Sequence, residues 1–120
     1  MKRIAFVFAA VIALIVPTFA AEQLTQRQLA SLVASAKTSA EHLRIADYYR
    51  AQAEKLLAES NDHARMGAAF RANPATNNAK RVGGTVNHCD YLAQTLKAKS
   101  QHASALAAEH DRMAKAAESN

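Results

Sequence analysis

Along residues 42–70, apolar and small side chains recur in steps of three or four: His42, Ile45, Ala46, Tyr49, Ala53, Leu56, Ser60, His63, Met66 and Phe70. A second series runs through Cys89, Leu92, Leu96, Ala103, Leu106, His110, Met113 and Ala117. Such steps keep residues on one face of a helix with 3.6 residues per turn. Each series therefore predicts one long amphipathic helix. Upstream, Leu29, Leu32 and Val33 form a shorter stripe of the same kind.

Local chemistry places the helix ends. Thr25 with Gln28, and Thr38 with Glu41, have capping-box spacing, in which each side chain satisfies an otherwise orphaned backbone N–H of the first turn. Asn73-Pro74 stops the second helix, since proline disfavours helix in the residue before it and cannot donate. Asn77-Asn78 and Gly83-Gly84 are turn signals, and Asn87, with the anion of Asp90 three residues on, caps the third helix. The helices are expected over about 26–37, 40–72 and 88–118, with a loop over 73–86. The fold class is all-α: a short N-terminal helix followed by a long antiparallel helical hairpin.

The chain's start reads differently. Lys2 and Arg3 precede an uncharged apolar run over residues 4–16, Pro17 breaks it, and Thr18-Phe19-Ala20 offers small residues to a peptidase. This is the signal-peptide pattern, and the run is too short to span a bilayer comfortably. Cleavage is expected after Ala20, with Ala21 as second choice, leaving residues 21–120 as one helical domain in a periplasmic or secreted setting. No cysteine follows the run to carry a lipid anchor, and no membrane span is expected after cleavage.

Composition narrows the partners. Beyond residue 20 there are 24 alanines but only nine leucines, three valines, one isoleucine and one phenylalanine. Alanine favours helix but buries little area. A hairpin built this way is expected to gain from close packing, from a bound ligand, or from a homodimer or envelope partner, with dimerisation completing a bundle. Net charge falls from +5 for the whole chain to +3 without the signal, and the cations interleave with the anions. Nucleic-acid binding wants a basic face with stacking aromatics, and neither is present. Glu41/Arg44, Asp47/Arg50 and Asp62/Arg65 are spaced to pair on the wet face.

The residues with most chemical potential are histidines, methionines and one cysteine. His63-Ala64-Arg65-Met66 and His110-Asp111-Arg112-Met113 share an H-x-R-M pattern near the ends of the long helices. In an antiparallel hairpin, residues at one level have a roughly constant index sum. His42 with His110 sums to 152 and His63 with Cys89 also to 152, while His42 with Met113 and Met66 with Cys89 both give 155. One register thus collects His42, His110 and Met113 at the open end, and His63, Met66 and Cys89, with His88 beside it, near the loop. Of the last two, Cys89 is expected to face the seam. The expected helix ends, Ala72 and Asn87, sum to 159, so the loop must absorb a stagger of roughly 10 Å.

Imidazole, thioether and thiolate suit copper(I) best and zinc second. Taken singly, such residues on an apolar helix face are ordinarily core; only their coincidence at two levels raises the metal reading. Haem ligation by a His/Met pair is weaker still, with no C-x-x-C-H motif and few large apolar residues. Cys89 has no internal disulfide partner and must be buried, metal-bound or paired between chains. No activated nucleophile or phosphate-binding loop is evident, so an enzyme is not expected. A metal-free structural or interaction protein of the cell envelope is the alternative.

The succession AEHLRxAxYYR (residues 40–50), HARM (63–66), FRANP (70–74), NHC (87–89) and AAEHDRMA (107–114) resembles a group of small exported bacterial helical proteins with this order of elements. The resemblance implies a Gram-negative periplasmic setting and a helical hairpin. It carries over no functional residues.

Overall fold

The computed structural model describes residues 23–73 and 82–119. The expected signal peptide, residues 1–20, and most of the expected loop lie outside the described residues. Three helices follow one another: α1 (Gln26–Ser35), α2 (Ser39–Ala72) and α3 (Val82–Glu118). Helices α2 and α3 pack along their length as an antiparallel hairpin, and α1 lies against α2 with far less contact. No strand occurs among the described residues.

Both capping boxes form. The Thr25 hydroxyl accepts from Gln28 N while Gln28 Oε1 accepts from Thr25 N, and Thr38 and Glu41 do the same for α2. The Glu41 carboxylate also accepts from Lys37 N at 2.8 Å. These backbone N–H groups, that of Lys37 foremost, hold its acid below the usual carboxylate range. The expected Glu41/Arg44 pair gives way to this cap, whereas Asp47 pairs with Arg50 and Asp62 with Arg65.

The start of α3 corrects the sequence expectation. The helix begins at Val82 rather than at an Asn87 cap, taking Gly83-Gly84 into its first turn. Glycine costs only about 1 kcal/mol in a helix, which packing along the hairpin can offset. Asp90 is consequently no first-turn anion but a side chain of the helix body, paired with Arg71 of α2. The stagger disappears as well: Ala72 and Val82 sum to 154, in line with the seam.

That seam is made of small residues at strict spacings of seven. Ala46, Ala53, Ser60 and Gly67 form its line on α2, all buried. Ala93, Ser100, Ala107 and Ala114 face them from α3; Ala93 is half-buried and the other three are buried, as are Cys89, Ala103 and His110. Two reciprocal hydrogen bonds cross it: Ser60 Oγ donates to Ala93 O at 2.7 Å, and Ser100 Oγ to Ala53 O at 2.8 Å. Both pairs have an index sum of 153. A hydroxyl one carbon from the backbone reaches the opposing carbonyl only where the helices lie close. Gly67 makes the same point, since a Cβ there would sit 3.4 Å from Cys89 Cβ and 3.2 Å from Asp90 Oδ1. Of large side chains among the described residues, only Ile45 is wholly buried.

The contact line runs about 100° round the helix from the positions of Met66 and Met113, because their neighbours Gly67 and Ala114 occupy it. The two methionines, expected on the seam, are 42% and 39% exposed. Along one flank, Arg50 bonds Asp111 at 2.9 Å and Arg71 pairs with Asp90, each with an index sum of 161. At the open end Ser39 Oγ donates to Glu118 Oε1 at 2.9 Å. No helix among the described residues is long and apolar enough to cross a membrane.

Candidate functional site: a histidine pair across the seam

At the open end of the hairpin, His42 of α2 and His110 of α3 meet across the seam, Nδ1 to Nδ1 at 3.1 Å. The periodic spacing that builds each helix puts one imidazole on each side of the same level. Their ring centroids lie 5.3 Å apart with the planes tilted by 33°. Tyr49, two turns along α2 from His42, lies 6.2 Å from His110, nearly parallel to it. His110 is buried and His42 half-buried.

A contact between two imidazole nitrogens requires one Nδ1 to carry a proton and the other to be bare. Double protonation would set two cations against each other at hydrogen-bond distance. His110 accordingly protonates less readily than a free imidazole: burial is the main cause, the His42 charge adds to it, and nearby Glu109 opposes both. The unfolded chain therefore takes up the proton first as pH falls below about 6.5. This contribution to stability is complete above that pH and declines on acidification towards the folded-state value. The melting temperature is expected to fall on acidification below about pH 6.5, and His110→Gln should flatten that decline. An equal slope in wild type and variant would assign the decline to other groups.

Met113, one turn beyond His110 on the same side of α3, is the nearest thioether in sequence and is partly exposed. The other expected cluster is arranged less favourably for an ion. Cys89 is buried against Gly67, whereas His88 beside it is exposed and Met66 lies on the open flank. His63 is half-buried, with its Nδ1 enclosed and lacking a hydrogen-bond partner. Among the described residues, no group of three His, Cys, Asp or Glu side chains converges to hold a metal ion. The lone cysteine is free. It is buried, one of the three states expected of it.

Tyr49 belongs to the apolar series of α2, but its place beside the histidines has no sequence signal beyond its spacing of seven from His42. No family model matches the chain, and neither a curated protein nor a solved structure matches it.

Proposed function

We propose that this chain is a small exported, non-catalytic helical binding protein of the bacterial envelope, of the group its sequence resembles. Its two long helices hold a soft or borderline metal ion, copper before zinc, at the His42/His110 level. The observation that carries this reading is the 3.1 Å approach of two imidazole Nδ1 atoms from different helices. Two nitrogens bound tetrahedrally to one ion at about 2.0–2.1 Å would stand about 3.3 Å apart. In nitrogen–nitrogen distance the pair is thus within a few tenths of an ångström of what a shared ion would need, once the bridging proton is lost. Met113 supplies the thioether that would favour copper(I) over zinc.

Thermal unfolding of the reduced mature protein with copper(I) or zinc(II) tests this. An ion that binds only the folded state, at a hundred times its Kd, adds about 2.7 kcal/mol. His42→Ala should abolish the shift, and Met113→Leu should reduce it for copper(I) more than for zinc(II). A shift that survives His42→Ala would place the ion elsewhere, and no shift with either ion would end the metal reading.

A second reading, a metal-free interaction protein that associates with itself or an envelope partner, is supported by different residues. Leu43 and Leu57 on α2 are each 44% exposed, and Tyr91 on α3 is 65% exposed. A chain so poor in large apolar residues has little reason to spend three of them on solvent contact. Sedimentation as a monomer at high concentration would count against self-association.

A further inference from the structure

A second site lies beside the histidine pair, between α1 and the hairpin, with Tyr49 between the two. No residue of α1 is fully buried: the helix touches α2 only lightly, and an open cleft of about 650 Å³ lies between it and the hairpin. That volume is within the range of about 300–1,000 Å³ found for small-molecule sites. One wall is the apolar stripe of α1, with Leu29 and Val33; the opposite wall includes Tyr49, Ala103 and Leu106.

The polar groups are gathered towards one end. Gln52 of α2 and Lys99 of α3 share a level of the hairpin, with an index sum of 151. Gln26, in the first turn of α1, belongs to the same end, since Leu24 just before it shares a surface hollow with Tyr48, Ala51 and Gln52. His102 adds a second group able to carry positive charge, and no Asp or Glu is among the described residues lining the cleft. From Lys99 to Leu106 the cleft follows α3 for seven residues, roughly 10 Å.

We propose that this cleft binds a single-chain amphiphile with an anionic head, such as a long-chain carboxylate. The Lys99 ammonium meets the carboxylate, the Gln26 and Gln52 amides supply further donors, and the hydrocarbon lies between Val33 and Leu106. A cationic amphiphile of equal length would bury the same methylenes but set its charge against Lys99. The apolar stripe of α1, only half-buried at Leu29 and exposed at Val33 in the free protein, becomes one wall of the occupied site.

Calorimetric titration and amide chemical-shift mapping of the mature protein with dodecanoate, dodecanol and dodecyltrimethylammonium, each below its micelle threshold, test the proposal. Dodecanoate should bind at least tenfold more tightly than dodecyltrimethylammonium, with dodecanol between them. Shifts should centre on α1 and on residues 99–106. Lys99→Glu, at an exposed position, should reverse the order of the two ions, and Val33→Asp should weaken all three ligands. Absence of dodecanoate binding, equal binding of both ions, or shifts confined to the Leu43/Leu57 flank would overturn it. None of these variants touches His42 or His110, so this result and that of the metal titration are independent.

Discussion

Ala53→Leu is expected to lower the unfolding free energy by about 2–3 kcal/mol, a drop in melting temperature of roughly 10–20 °C for a domain of this size. Ala53 is buried on the contact line, and its carbonyl accepts the Ser100 hydroxyl from the opposite helix. Three added heavy atoms have nowhere to go between helices close enough for that bond. The chain must either part the helices, losing the Ser100 and Ser60 bonds together, or force the leucine off its preferred rotamers. Circular dichroism at 222 nm through a thermal ramp reads the effect. An unchanged melting temperature would mean that the seam has slack, contrary to the serine geometry.

Ile45→Ala is expected to cost about 2–5 kcal/mol, because the transfer term of the lost methyl groups adds to that of a cavity. Its weight comes from scarcity. Ile45 is fully buried, whereas Leu57 on the same helix is 44% exposed. Leu57→Ala should change stability by no more than about 0.5 kcal/mol. Chemical denaturation of the two variants side by side separates burial from helix propensity, since leucine and isoleucine both give way to the better helix former. Equal midpoints for the two would show that Ile45 anchors nothing.

The helical class and both capping boxes were legible because they depend on residues three or four apart. Thr25/Gln28 and Thr38/Glu41 require nothing from the rest of the fold. The pairing level of His42 and His110 was legible too, since two long helices in a hairpin leave few registers. The contact line itself was only half legible. In a chain with 24 alanines past residue 20, alanine appears on every face, so its spacing of seven at positions 46 and 53 has little contrast. Larger residues such as Met66 and Met113 draw the eye to the flank instead. The start of α3 was obscured by Gly83-Gly84, whose turn preference is a weak local term that long-range packing overrides. The cleft beside α1 left no signature, as it depends on a helix standing off rather than on any motif.

The evenness of the seam carries a further consequence for how the hairpin finds its register. Sliding α3 by one heptad, roughly 10 Å, would bring Ala46 level with Ala114, Ala53 with Ala107, Ser60 with Ser100 and Gly67 with Ala93. Small would still face small at every step, so steric fit alone barely distinguishes the slipped pairing from the native one. The polar contacts do distinguish it. The slip would draw Arg71 away from Asp90 to the level of Lys97, part His42 from His110, and take the Ser60 and Ser100 hydroxyls from their carbonyl partners. Exposed ion pairs add little to stability one by one. Here they act as the index marks of an otherwise uniform ratchet, and high salt or acid, by weakening them, would loosen the choice of tooth before it melted the helices.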